Sequence, residues 1–306
     1  MDYVFKGNDI VKTFRKAGFK KFNALDGLNI NVPKGAIYGL IGQNGAGKTT
    51  ILRILSGVQV PSKGSFSLYD VSNKSGKIDK CRRRMGIYLT MPAMYDNTTV
   101  LGCLKYEYDL KGIKDNGNIN ENIEKFGLSN HEKTKVKKLS LGLKQRLGIA
   151  MAMCGNPDFV VLDEPMNGLD PETIIWLREY ILEMNRKNDV TFLISSHMLE
   201  ELSKIITHVG IIKEGKMIKE ASVEEIEEKL KKSIRVQVSD ITAFSKVCEE
   251  KGYQYEIIGD DTADLFEKIS VNNLVSIFKE AGCEILELTE NVESLESYYL
   301  EVNNGK

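Results

Sequence analysis

Eight residues constrain this chain more than any others. Gly42-Gln43-Asn44-Gly45-Ala46-Gly47-Lys48-Thr49 fit the pattern G-x-x-x-x-G-K-[ST]. The stretch before them, Ala36–Ile41 (AIYGLI), is short, apolar and uncharged, which predicts a buried strand. The stretch after them, Lys48–Leu55 (KTTILRIL), has helical spacing and stops at Gly57. A strand that enters a helix through glycines can turn successive N–H groups inward around one anion. The helix start adds unpaired donors and the positive end of its dipole. The expected structure is a phosphate cradle. Gly42, Asn44, Gly45, Ala46 and Gly47 lend it backbone, and Lys48 reaches the terminal phosphates. The Thr49 hydroxyl is placed to ligate Mg²⁺, and Thr50 follows in the first turn of the helix.

The pattern around the cradle predicts an α/β fold. Val4–Val32 alternates in short runs, as strands of an edge sheet do. Phe159–Leu162 (FVVL) and Val190–Ser195 (VTFLIS) read as buried strands, with helices over Leu139–Ala152 and Pro171–Asn185. Continuous apolar strands alternating with helices imply a mostly parallel sheet covered on both faces. Met94–Lys138 is mostly helical, with breaks at Gly112–Gly117 and Gly127. A helix is expected over Val223–Lys232, and after it the texture changes. Ile234–Val238, Phe244–Lys251, Tyr253–Ile258, Asp264–Ile269, Val271–Ala281 and Glu284–Thr289 run β-α-β-β-α-β, with a last helix over Val292–Val302. That order predicts a small α+β domain of the split βαβ, ferredoxin-like kind. The expected division is a first domain over 1–220 and a second over 221–306.

Charge changes sign at the same place. The chain holds 42 Lys and Arg against 43 Asp and Glu, a formal net charge of -1. Up to Glu220 there are 33 basic and 24 acidic residues; from Ala221 onward there are 9 and 19. The acidity of the second domain disfavours nucleic acid as its partner, and the basic excess of the first does not need nucleic acid to explain it. No uncharged apolar run approaches the ~18–20 residues that span a bilayer, and the N-terminus lacks the pattern of a secretory signal. Cys81, Cys103, Cys154, Cys248 and Cys283 are odd in number and unclustered, so they read as reduced, small apolar residues.

Two strand ends carry further chemistry. Phe159–Leu162 runs into Asp163-Glu164-Pro165. An Asp at the C-terminal end of a strand can hold Mg²⁺ beside a phosphate cradle, and Glu164 can accept a proton from an attacking water or orient it. Phe192–Ser196 ends in His197, where an imidazole can hydrogen-bond a γ-phosphate.

One more segment sets the class. Leu139-Ser140-Leu141-Gly142-Leu143-Lys144-Gln145-Arg146 resembles the signature motif of the ATP-binding-cassette (ABC) ATPases, Asn167-Gly168-Leu169-Asp170 resembles their D-loop, and His197 their switch histidine. The resemblance covers about residues 2–220. Within it, SLGLKQRL is similar to the bacitracin-resistance and lantibiotic-immunity branch of drug and peptide exporters. It implies a P-loop NTPase cassette: a mostly parallel core sheet, an antiparallel edge sheet and a helical subdomain at about 92–155. It also implies an ATPase using ATP and Mg²⁺, with Lys48, Glu164 and His197 as catalytic residues. Two copies, a homodimer or a heterodimer, would close head to tail, Ser140 and Gly142 of one capping the γ-phosphate on the other, with Asp170 beside them. The implied partner is a separate transmembrane permease, and the implied location the cytoplasmic face of a bacterial membrane.

The chain departs from the family pattern at Leu141 and Leu143, and at Thr90, which stands at the Q-loop position and is thereby expected at the metal site with Thr49 and Asp163, though it is shorter than the usual glutamine. An aromatic ring, Phe14 or Phe19, is expected on the adenine, with Phe14 favoured by order. The coupling surface falls at Thr90–Tyr95 and a helix with Leu104, Tyr106 and Tyr108. Arg82-Arg83-Arg84 reads as a solvated basic face, or else as a contact with anionic lipid or a carboxylate on the membrane partner. Trp176 reads as core on a face with Ile175 and Tyr180. The acidic module is expected to be regulatory or to stabilise a dimer. The alternatives are a non-transport ABC ATPase or a weakly hydrolysing regulator; tandem cassettes, a long coiled coil or a basic arm would mark the former, and none is visible in the sequence.

Overall fold

The computed structural model describes residues 2–15, 21–90, 95–115, 117–228, 230, 232–267, 269–292 and 295–304. The chain divides into two compact units, Met1–Glu224 and Glu225–Lys306. In the first, alternating sequence yields the long antiparallel hairpin β1 (Tyr3–Arg15) and β2 (Lys21–Pro33). Next come β3 (Ile37–Ile41), α1 (Lys48–Leu55), β4 (Lys63–Leu68), β5 (Val71–Ser72), α2 (Ile78–Arg82) and β6 (Met85–Tyr88). The helical stretch holds α3 (Val100–Lys111), α4 (Asn118–Lys125) and α5 (Leu141–Ala152). The unit continues with β7 (Phe159–Asp163), α6 (Pro171–Asn188), β8 (Thr191–Ser196), α7 (Leu199–Ser203), β9 (His208–Lys213) and β10 (Lys216–Ser222). A short α8 (Val223–Glu227) follows.

Two sheets result. One is antiparallel, in the order β2-β1-β4-β5; the other runs β10-β9-β3-β8-β7-β6. In the second, β9, β3, β8, β7 and β6 are parallel and only the β9–β10 hairpin is antiparallel. Every residue of β3, β7 and β8 is buried, as their unbroken apolar runs require. The core between the sheets joins Phe5, Leu28 and Ile30 to Tyr38, Leu40, Val161 and Leu193, with Ile51, Leu52 and Leu55 of α1 among them. Gly112, at φ +65°, ends α3 in the left-handed conformation.

A half-buried carboxylate ties the two sheets. Glu220 on β10 accepts the Tyr38 hydroxyl at 2.7 Å, the Asn31 N–H at 2.7 Å and Asn31 Nδ2 at 2.9 Å. Tyr38 is fully buried, and burial, aided by the Glu220 charge, pushes its hydroxyl well above the usual tyrosine range. α6 carries Trp176 and Tyr180 against Phe126, with ring centres 5.6 and 4.9 Å away, and the Arg146 guanidinium lies over Trp176 at 4.2 Å. Ile175 is exposed, so the face holding Trp176 and Tyr180 does not include it.

The second unit contains β11 (Lys232–Val238), α9 (Ile241–Lys251), β12 (Tyr255–Ile257), β13 (Thr262–Leu265), α10 (Val271–Glu280), β14 (Ile285–Val292) and α11 (Leu295–Asn304). Its sheet has the order β12-β13-β11-β14, antiparallel throughout. This is the split βαβ arrangement expected from the element order. Asp240 caps α9 and Ser270 caps α10. Phe244 and Phe278 from the two helices stack at 4.8 Å. On the sheet, Arg235 holds the buried Asp264 through two hydrogen bonds of 2.8 and 2.7 Å.

Three local readings change. The helix expected over Val223–Lys232 stops at Glu227, because Lys232 pairs with Val292 as the start of β11. That pairing also moves the final helix to Leu295. The run Arg82-Arg83-Arg84 is not one solvated face. Arg82 is half-buried and its Nε donates to the Leu55 carbonyl at 3.1 Å, whereas Arg83 and Arg84 are exposed, Arg84 pairing at the surface with Asp158. Leu104 and Tyr108 are core residues, and only Tyr106 of that trio is exposed.

Glu220→Ala strips the buried Tyr38 hydroxyl and two Asn31 donors of their acceptor. The expected cost is about 2–3 kcal/mol of stability, measured by urea unfolding of the full chain; a loss under half a kilocalorie would show that the clasp is dispensable.

Candidate functional site

The glycine loop lies between β3 and α1, and close packing on two sides sets its path. A Cβ on Gly42 would stand 2.3 Å from the Ile212 carbonyl oxygen, and one on Gly47 would stand 2.7 Å from that of Ala24. Gly45 differs: it has φ +84° with no atom within 4 Å of where its Cβ would be. The loop is therefore pressed on β9 and β2 and open at Gly45. Asn44 and Gly45 are exposed, Ala46 is buried, and Thr49 and Thr50 are half-buried in the first turn of α1. That helix starts from Gly47 with no side-chain cap and no acidic residue in its first turn. An uncapped helix start beside an open loop is what a phosphate needs, so the residues fit a nucleotide.

Lys48 is 5% exposed and its Nζ donates to the Gly42 carbonyl at 2.6 Å. It also lies 3.3 Å from Glu164 Oε1. The other oxygen of Glu164 takes the His197 backbone N–H at 3.3 Å and lies 2.7 Å from His197 Nδ1. One carboxylate thus bridges the cradle lysine and the histidine at the end of β8. The geometry follows from the parallel register, which sets the ends of β7 and β8 beside each other, Asp163 opposite Ser195. Glu164 itself has φ +48°, which turns its side chain out of the strand line.

Asp163 is buried at the end of β7 and takes the Ser195 hydroxyl on Oδ1 at 2.5 Å. Among the described residues its Oδ2 has no hydrogen bond, and neither does the Thr49 hydroxyl. A carboxylate and a hydroxyl oxygen suit a hard cation completed by phosphate oxygens and water, so this donor set fits Mg²⁺. It forms no cluster of three or more His, Cys, Asp or Glu side chains among the described residues.

The remaining expected residues form a second group. Ser140 is exposed and caps α5, accepting the Leu143 N–H at 3.3 Å. Asp170 caps α6, accepting the Thr173 N–H and hydroxyl at 2.9 Å each, and the Thr173 N–H holds its carboxyl below the usual range. Gly142 lies where a Cβ would meet Thr173 Oγ1 at 3.4 Å, so the starts of α5 and α6 abut. No hydrogen bond among the described residues joins Ser140, Gly142 or Asp170 to Lys48, Glu164 or His197 in the same chain. The link between the groups is Gln145, whose Nε2 donates to the Pro165 carbonyl at 2.6 Å while its Oε1 accepts the Tyr88 hydroxyl at 2.9 Å. Gln145 and Ser195 are residues that sequence reasoning passed over. Their partners lie 20 and 32 positions away, and no local pattern signals such pairings.

Phe14 is half-buried near the end of β1 and stacks on Phe22 of β2 at 5.8 Å. Phe22 is 40% exposed and lies two residues before Ala24, where β2 touches Gly47. Phe19 falls outside the described residues. Thr90 is exposed at the end of β6 and stands outside the hydrogen-bond network of Asp163 and Glu164. It lines a cleft of about 120 Å³ with Tyr88, Tyr95, Glu107, Gly148 and Met151. Burial raises the Glu107 carboxyl above the usual range, while Lys111, 3.8 Å away, opposes the shift. Residues 91–94 of the expected coupling stretch lie outside the described residues. Among the described residues no helix is long and apolar enough to cross a membrane.

The family model described as ABC transporter matches residues 25–167. Bacitracin transport ATP-binding protein BcrA of Bacillus licheniformis is 35% identical over 308 residues, covering 100% of this chain and 99% of that protein. Lantibiotic transport ATP-binding protein SrtF of Streptococcus pyogenes is 40% identical over 205 residues, covering 67% of this chain and 87% of that protein. Among solved structures, an ATP-binding cassette of an ABC transporter in its ADP conformation matches with a TM-score of 0.60 at 27% identity, over 74% of this chain and 93% of that one.

Gly42→Ala forces a methyl group into the Ile212 carbonyl. The expected outcome is a destabilisation of about 1–3 kcal/mol together with loss of binding of a fluorescent ATP analogue. Unchanged titration of the analogue would mean that the loop tolerates the displacement.

Proposed function

This chain belongs to the ABC transporter family of ATP-binding proteins, which hydrolyse ATP to power transport, and from that premise we propose that it drives the export of a peptide antibiotic through a separate membrane permease. The cargo class rests on the full-length likeness to a bacitracin transport protein and on the likeness to a lantibiotic transport protein. The chain would lie on the cytoplasmic face of the membrane, bound to its permease.

The observation that carries the mechanism is the bridge of Glu164 between Lys48 and His197. ATP enters with its β- and γ-phosphates against the loop N–H groups and the start of α1. Its γ-phosphate offers Lys48 and His197 a second anion. Both groups then turn to the phosphate, and Glu164 is released to orient the attacking water and accept its proton. Asp163 and Thr49 would hold Mg²⁺, which when bound neutralises charge on the β- and γ-phosphates. The Phe14–Phe22 end of the hairpin supplies the ring for adenine, a contact with little base selectivity.

Among the described residues, Ser140 and Gly142 share no hydrogen bond with Lys48, Glu164 or His197 of their own subunit. A second copy, turned head to tail, brings them to the γ-phosphate on the first, with Asp170 at the seam. Hydrolysis removes the group that both copies hold and opens the pair. The cleft at Tyr88, Tyr95 and Glu107 has the aromatic and methionine lining that receives a short helix of the permease, and Thr90 belongs to this partner surface. The second unit serves as a regulatory or dimer-stabilising module, with its boundary after Glu224.

Glu164→Gln is expected to lower ATP turnover by about 10²–10⁴-fold and to accumulate an ATP-bound dimer in sedimentation. A wild-type rate would exclude Glu164 as the base. If a neighbouring gene encodes a chain with about six membrane spans, co-expression with that chain should yield a stable membrane complex. Sedimentation with ribosomes instead would overturn the transport reading.

A further inference from the structure

Ser195 is fully buried at the end of β8 and has no direct path to a bound nucleotide, yet it touches both functional carboxylate residues. Its hydroxyl donates to Asp163 Oδ1 at 2.5 Å and accepts the Glu164 N–H at 2.9 Å. The Ser195 carbonyl takes the same N–H at 3.2 Å. Among the described residues, Glu164 is one of the few non-glycine residues with positive φ, at +48°. We infer that Ser195 is the positioning residue of the site, its hydroxyl fixing the Asp163 carboxylate and the turned backbone of Glu164 at once.

The chemistry requires a group that donates and accepts in the same place. A hydroxyl has one donor and two acceptor lone pairs, and both kinds are used here. Donation to Oδ1 locks the carboxylate rotation and leaves Oδ2 as the oxygen without a hydrogen bond. Acceptance from Glu164 pins the residue at the point where the strand gives way to the left-handed turn. The parallel register sets Ser195 opposite Asp163, so one side chain reaches residues 163 and 164 together. Its neighbour cannot replace it, because the Ser196 hydroxyl is taken by the Met198 N–H at 2.8 Å. Ser195 touches no reacting atom and acts only through the two acids. The role in metal binding rests on the reading that Asp163 holds Mg²⁺.

The test uses the full chain and a slowly hydrolysed fluorescent ATP analogue, titrated once with Mg²⁺ and once with EDTA. Wild type should bind the analogue more tightly with Mg²⁺. Ser195→Ala should lose about tenfold of that Mg²⁺-dependent gain, the scale on which groups behind a metal ligand act, while its affinity in EDTA stays at the wild-type value. Its ATPase should need correspondingly more Mg²⁺ for half-maximal turnover. Ser195→Thr, which keeps the hydroxyl, should retain the wild-type gain. The inference is overturned if Ser195→Ala keeps the full gain, if it loses equally in EDTA, or if Ser195→Thr loses as much as Ser195→Ala. A wild-type protein with no gain from Mg²⁺ would instead overturn the assignment of the metal to Asp163, a result distinct from the others.

Discussion

The contact on which the first unit depends is the glycine loop pressed between two backbones. Gly42 packs on the carbonyl of Ile212 in β9 and Gly47 on that of Ala24 in β2. Neither site has room for a Cβ, so the loop runs between the parallel sheet and the antiparallel one. The same two contacts fix the start of α1. They point its unpaired donors outward past Gly45, where the surface is open. Phosphate recognition and the joining of the two sheets are therefore one constraint, met by absent side chains. Glu220, half-buried between Tyr38 and Asn31, joins the same two sheets.

Around that loop, the functional groups depend on strand register more than on local sequence. Parallel pairing of β7 with β8 puts Asp163 opposite Ser195, and the turn that follows brings Glu164 to His197. With Lys48 on the other oxygen, Glu164 is held by two partners that a γ-phosphate also attracts. In the proposed mechanism this bridge is exchanged for contacts with phosphate. α5 is tied into it through Gln145, which spans Tyr88 at the cleft and Pro165 beside Glu164. A buried amide with both ends satisfied is costly to disturb, so these three points are held together.

Where the structure departs from the sequence reading, long-range pairing is the cause. Helical composition over Val223–Lys232 yields to the β11–β14 pairing, which takes Lys232 into a strand. The arginine run looks like a charged face, yet the Leu55 carbonyl draws Arg82 inward and leaves Arg83 and Arg84 at the surface. Leu104 and Tyr108, legible as a helix face, turn to the core and leave Tyr106 to the surface. In each case the deciding partner is distant in the chain.

The sequence by itself determined the phosphate cradle, the two strand ends with Asp163, Glu164 and His197, the alternation that makes a mostly parallel sheet, and the β-α-β-β-α-β order of the second unit. These are legible because glycine tolerance, strand burial and helix capping are properties of neighbouring residues. Only the tertiary structure decided which groups meet: Glu164 between Lys48 and His197, Ser195 on Asp163, Gln145 on Pro165, and Phe22 beside Phe14. Those meetings depend on sheet register and on packing between sheets. They satisfy buried polar groups whose partners no local pattern names.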